Sequence, residues 1–185
     1  MLGDLTRHAI GFIESRAEQK EPFFLYLPLT SPHLPVVPAQ EWQGKSGIGA
    51  YGDFVMETDA RVGEILAALD RASLAENTLI IFTSDNGGLW HAWKPQESDD
   101  LQSYKPGPRG KYNAEHGHHS NAELRGSKAD IWEGGHRVPF IVRWPGHVKA
   151  GVVSAALVEL NDTLATLAEI TGAQGPAVVA GEAMA

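Results

Sequence analysis

Apolar side chains recur at helical spacing over residues 5–19, where Leu5, Ala9, Phe12 and Ile13 form one stripe and Asp4 is placed to cap the start. The run EPFFLYLPL, residues 21–29, is apolar between prolines and predicts a buried strand. Residues 31–52 are rich in Pro, Gly and Ser and read as a loop. From Gly52 to Asp70 a second stripe of Val55, Val62, Ile65, Leu66 and Leu69 predicts a long helix, with Asp53 or its neighbour as cap. Thr78–Thr83 is β-branched and apolar, a second buried strand. Strand, long helix, strand predicts a right-handed βαβ crossover. The expected class is therefore α/β, a mostly parallel sheet flanked by helices.

Beyond Thr83 the periodicity lapses. Residues 85–127 carry GLWHAWKPQESDD, YKPGPRGKY and EHGHHSN, and stretches of this length inside a domain are usually functional or mobile. Residues 139–144, PFIVRW, predict a third strand closed by Pro145-Gly146. Ala155–Leu160 leads into a helix over 162–171, with Asn161 or Asp162 as cap and Gly172 as stop.

Composition narrows this picture. At 185 residues, 43% hydrophobic and 21% charged, the chain suits one ordinary soluble globular domain. Its net charge of −8, with no Lys/Arg block, points away from nucleic acid. An anion would have to be met by a few local cations. No apolar run approaches the roughly 20 residues of a membrane span. The N-terminus lacks the basic and apolar regions of a signal peptide. With no cysteine, disulfides, thiolate zinc sites and cysteine nucleophiles are all excluded.

In parallel sheets ligands sit beyond the carboxyl ends of the strands, and two candidate sites fall there. The first strand runs into LTSPHLP, which places His33 just past it in a proline frame that fixes its ring. The second runs into TSDNGG, which places Asp85 and Asn86 just past it. One carboxylate and one amide oxygen suit a hard cation such as calcium or magnesium. The same four residues also suit a hairpin turn, and local sequence leaves both readings open. A third group follows in RGSKADIWEGGHRVP, where Lys128 could neutralise an anion at the same crevice and Arg137 reads as a structural brace. His91, His116, His118 and His119 lack zinc-ligand spacing and read as a polar loop. Trp90 and Trp93 could wall a pocket or pack the loop.

PFFLYLPLTSPHLP, TLIIFTSDNGG and NAELRGSKADIWEGGHRVPFIVRWPG, in this order, resemble the sulfatase family of the alkaline phosphatase-like superfamily, its arylsulfatase branch above all. The likeness runs from about Asp4 to Gly172. It implies an alkaline phosphatase/sulfatase-like α/β fold. It also implies that Asp85 and Asn86 are two ligands of a calcium ion that polarises a sulfate ester. His33 and Lys128 would contact the sulfate oxygens, with Lys128 also supporting the leaving oxygen. A divalent cation plus Lys and His can offset a sulfate and the charge growing on a departing alkoxide. Residues 87–121 would set specificity, with His91 and Trp93 as substrate contacts.

The departures are as informative. Complete sulfatases carry a formylglycine made from Cys or Ser in a C-x-P-S-R or S-x-P-x-R motif, and neither motif is present here. The paired N-terminal aspartates and the G-K-W-H type segment of the family are absent too. The expectation is a partial catalytic domain over 1–185, with the nucleophile-bearing part and the C-terminal subdomain lying outside it. It would carry half of the calcium site and half of the site for a sulfate ester, aryl or carbohydrate. Two alternatives stand beside it. One is a phosphoesterase or phosphonate monoester hydrolase of the same superfamily; the other is a catalytically dead module that binds calcium or sulfated glycans.

Overall fold

The computed structural model describes residues 1–88 and 117–173, together with the short strands Val178–Val179 and Glu182–Ala183. Trp90, His91, Trp93 and His116 lie outside the described residues. The chain divides into two compact units, Met1–Lys149 and Ala150–Ala185.

The first unit is built on two packed helices, α1 (Leu2–Arg16) and α2 (Ala50–Arg71). α1 buries Leu2, Thr6, Ala9 and Ile13, a spacing that keeps one face inward. One apolar cluster joins Leu2 to Val36, Tyr51 and Phe54. A second joins Ile13 to Ala68, Leu69 and Ala75. Phe23 and Leu25 of the 21–29 segment pack on that second cluster, and so does Ile80. Alternate residues Phe24 and Tyr26 are 72% and 74% exposed, the period of two expected of an extended segment with one covered face.

Both N-terminal caps differ from expectation. The caps are Met1 and Gly49, and neither makes a side-chain capping bond. Asp4 lies in the first turn of α1 and pairs with Arg7. Asp53 is buried in the first turn of α2, where its carboxylate accepts the backbone N–H groups of Gly44 (2.7 Å) and Ser46 (2.8 Å). One turn on, buried Glu57 accepts the N–H of Ala39 (2.8 Å) and bonds Arg61. Thr58 donates to the Ser31 hydroxyl at 2.7 Å. The start of α2 is thus a row of side chains that holds down the 31–49 loop. Asp53→Ala should leave two backbone donors without partners and lower stability by about 2–4 kcal/mol, measurable by urea denaturation.

The ladder that forms is not the one the βαβ reading concerned, which joined residues 21–29 to Thr78–Thr83. β1 (Ile80–Thr83) pairs with β2 (Phe140–Arg143), and the ladder is antiparallel, from Ile80 opposite Arg143 to Thr83 opposite Phe140. Residues 21–29 form no strand ladder with the other described residues. The reason for the antiparallel direction lies just past Thr83. The Gly87 N–H donates to the Gly135 carbonyl at 2.9 Å, so the chain returns into β2 at the same end from which it left β1. The α/β class itself stands: helices packed with a small sheet.

In the second unit α4 (Asp162–Thr171) begins at Asn161 and stops at Gly172, whose φ of 67° takes the left-handed conformation that glycine favours. Asp162 accepts the Glu159 N–H at 2.9 Å. β3 (Val178–Val179) and β4 (Glu182–Ala183) pair antiparallel. No helix among the described residues is long and apolar enough to cross a membrane.

Candidate functional site

β1 ends at Thr83, and Ser84 to Gly88 follow as a bend. The N–H groups of Gly87 and Gly88 go to the Gly135 carbonyl and to Asn121 Oδ1, not back across Asp85-Asn86. The Asp85 side chain is exposed; the Ser84 hydroxyl donates to the Asn86 carbonyl at 3.0 Å. Asn86 is half-buried, and its amide nitrogen donates to the Gly87 carbonyl at 3.0 Å. With that nitrogen bonded, the Asn86 side chain keeps its oxygen as an acceptor, next in sequence to the exposed Asp85.

The segment 117–136 folds onto this bend. Gly88 donates its N–H to Asn121 Oδ1 (2.8 Å), and its carbonyl accepts the Lys128 N–H (3.0 Å). Asn121 Nδ2 in turn donates to the Gly126 carbonyl at 2.9 Å. The Lys128 turn is closed by Asp130, whose carboxylate accepts the N–H of buried Ser127 at 3.0 Å. Ala129 takes a φ of 75°, uncommon for a residue with a side chain, immediately after Lys128. The short helix α3 (Glu133–His136) supplies Gly134 and Gly135, both buried. A Cβ on Gly87 would lie 1.8 Å from the Gly134 carbonyl oxygen, and one on Gly134 would lie 2.1 Å from that of Gly126. Backbone meets backbone here, and only glycine permits it. Arg137 pairs with Glu133 at 3.1 Å on the surface, an exposed brace across this turn.

His33 sits on the loop anchored to α2. Its N–H donates to the Thr30 carbonyl at 3.1 Å, and its Nδ1 lies 3.0 Å from the Leu34 carbonyl. The ring is exposed. Two of the sequence-derived loops are therefore bonded to each other directly, Asp85-Asn86 with Lys128. The third reaches them through packing. Leu34 packs against the cluster that contains Tyr51, the Tyr51 ring lies 6.0 Å from that of His118, and Ser120 is next to Gly88. Burial pushes the Tyr51 hydroxyl above its usual range, and a hydrogen bond with Ser120 acts against that rise.

Burial also holds the His118 imidazole below its usual value of 6.5, and the charge of His119 adds to the effect. A depressed histidine stabilises the fold at pH above 6.5 and loses that contribution as pH falls through and below it. Melting temperature should therefore drop on acidification from pH 7.5 to 5.5, and His118→Gln should flatten that profile.

Among the described residues no group of three or more His, Cys, Asp or Glu is placed to hold a metal. Asp85 and Asn86 amount to two oxygen donors, part of a hard-cation site. Asn121, Ser120, Tyr51 and Asp130 are brought to this region by the fold alone. Asn121 stands inside the NAELRGSK motif, the one local signal that could have drawn attention to it.

Comparison with known proteins sets these residues in context. The Sulfatase family profile matches residues 3–173. An N-acetylgalactosamine-6-O-sulfatase of Bacteroides thetaiotaomicron is 39% identical over 166 residues, covering 90% of this chain and 29% of that protein. A steryl-sulfatase of Mus musculus is 40% identical over 176 residues, covering 94% of this chain and 26% of that protein. A solved structure from work on the metabolism of multiple glycosaminoglycans by Bacteroides thetaiotaomicron superposes with a TM-score of 0.81 at 35% identity, covering 100% of this chain and 35% of that one. The chain thus spans under a third of the length of these curated relatives.

Proposed function

This chain belongs to the sulfatase family, and on that premise we propose that it contributes the cation-binding and sulfate-binding part of a sulfuric ester hydrolase site. The observation that carries the reading is the Lys128 N–H to Gly88 carbonyl bond at 3.0 Å, which ties the SDNGG bend to the RGSK turn. Asp85 and Asn86 fit a calcium ion by their chemistry: both present oxygen, and the Asn86 amide nitrogen is already engaged. They would supply two of the about 6–8 oxygens that calcium takes. When bound, the cation polarises the sulfate ester and offsets its negative charge.

The work of the chain's own residues follows. Lys128, on a turn fixed by Asp130, directs an ammonium at the sulfate oxygens and supports the leaving oxygen as charge builds there. His33, an exposed imidazole on the loop pinned by Ser31–Thr58 and Ala39–Glu57, meets the sulfate from its other side. His91 and Trp93, in the 87–121 stretch, contact the rest of the substrate. The names of the relatives, an amino-sugar 6-O-sulfatase and a steryl-sulfatase, support a sulfated carbohydrate or an aryl or steryl sulfate as the substrate class.

A formylglycine does not fit these residues. The 185 residues contain no cysteine and no serine in the S-x-P-x-R motif, so no step passes through that group here. The chain alone is expected to show no turnover of an aryl sulfate in the presence of calcium. Turnover above buffer that disappears with Asp85→Ala would contradict this. Binding tests the rest. With calcium present, inorganic sulfate should shift the NMR signals of Lys128 and His33, and Lys128→Ala should weaken sulfate binding by about tenfold. Equal affinity in the variant would remove Lys128 from the site.

A further inference from the structure

We infer that Asn121 is a positioning residue, a two-sided clamp that sets the separation between the cation ligands and Lys128. The inference rests on the proposal that Asp85, Asn86 and Lys128 act in one site. An amide side chain carries an acceptor and a donor at one end, and Asn121 uses both. Its oxygen accepts the Gly88 N–H at 2.8 Å, and its nitrogen donates to the Gly126 carbonyl at 2.9 Å. Gly88 stands two residues after Asn86, and Gly126 two residues before Lys128.

The Gly88 peptide groups are thereby held from both sides, its N–H by Asn121 and its carbonyl by the Lys128 N–H at 3.0 Å. The fit is close. A Cβ on Gly88 would lie 2.8 Å from Ser120 Cβ and 3.0 Å from Asn121 Oδ1. The ring of His118, three residues before Asn121, lies 6.0 Å from that of Tyr51 on α2, the helix that also anchors the His33 loop. Asn121 itself offers neither a ligand to the cation nor a charge to sulfate; it acts through the two backbones it joins.

Aspartate has nearly the same shape but no donor. Asn121→Asp keeps the acceptor for Gly88 and turns a carboxylate oxygen on the Gly126 carbonyl; Asn121→Ala loses both bonds. In the full chain, amide exchange at Gly88 should quicken by about tenfold or more in Asn121→Ala, with α1 and α2 amides unchanged. Calcium affinity, followed from the NMR signals of Asp85 and Asn86, should fall by about tenfold in Asn121→Ala and by less in Asn121→Asp. Ile13→Val, which trims the core far from the clamp, should lower the melting temperature and leave both readouts unchanged. Unchanged Gly88 exchange in Asn121→Ala would overturn the clamp, as would faster exchange with undiminished calcium affinity. A wild-type chain that binds no calcium would defeat the cation site instead, and Gly88 exchange alone would then decide the clamp.

Discussion

Gly87→Ala is expected to cost about 3 kcal/mol or more, because it drives a methyl group into backbone. The added Cβ would lie 1.8 Å from the Gly134 carbonyl oxygen. That oxygen cannot simply step aside. The Gly134 N–H is bonded to the Arg125 carbonyl at 2.7 Å, and the Gly87 N–H to that of Gly135 at 2.9 Å. Relief requires the SDNGG bend to part from α3, and with it the β1–β2 junction at Thr83 and Phe140. Chemical denaturation should show the loss. Gly63, with nothing within 4 Å of an added Cβ, serves as the comparison: Gly63→Ala in mid-helix should be neutral or stabilising. A Gly87→Ala protein as stable as wild type would mean that this backbone contact is not as close as described.

The second large effect is expected at Asp85. Asp85→Ala removes the only full negative charge of the bend while leaving the backbone bonds of Gly87 and Gly88 intact. Calcium affinity should fall at least about a hundredfold, since a carboxylate is the strongest ligand a hard cation can take from this bend. Stability should barely change, because the side chain is exposed and none of its hydrogen bonds reaches another element. Calorimetric titration paired with a thermal melt separates these two quantities. Retained calcium binding, or a melt that collapses with it, would place the role of Asp85 elsewhere.

Much of this was legible in the sequence, for identifiable reasons. Helical periodicity located α2 because its stripe spans several turns, and Gly172 announced the end of α4 because glycine readily takes the left-handed conformation found there. Asp85, Asn86 and Lys128 drew attention because their residue types carry chemistry that a loop does not otherwise need. The antiparallel direction of β2 was not legible. An apolar strand reads alike in parallel and antiparallel ladders, and what set it was a bond between Gly87 and Gly135, remote in sequence. Asp53 was mistaken for a cap for a related reason. An acid in a first turn usually serves the helix, whereas this one is turned to the backbone of the preceding loop. Asn121 and Tyr51 escaped notice because their importance lies wholly in whom they touch.

Whether His33 shares a crevice with Asp85 and Lys128 is the central question, and a paramagnetic probe addresses it directly. Gadolinium, a hard cation that favours oxygen ligands, would be titrated into the labelled chain, and the broadening of side-chain signals recorded at residues 33, 85, 86 and 128. The expected result is saturable broadening of all four, lost together in Asp85→Ala. Broadening at 85, 86 and 128 with the imidazole of His33 untouched would contradict a single site formed by three loops.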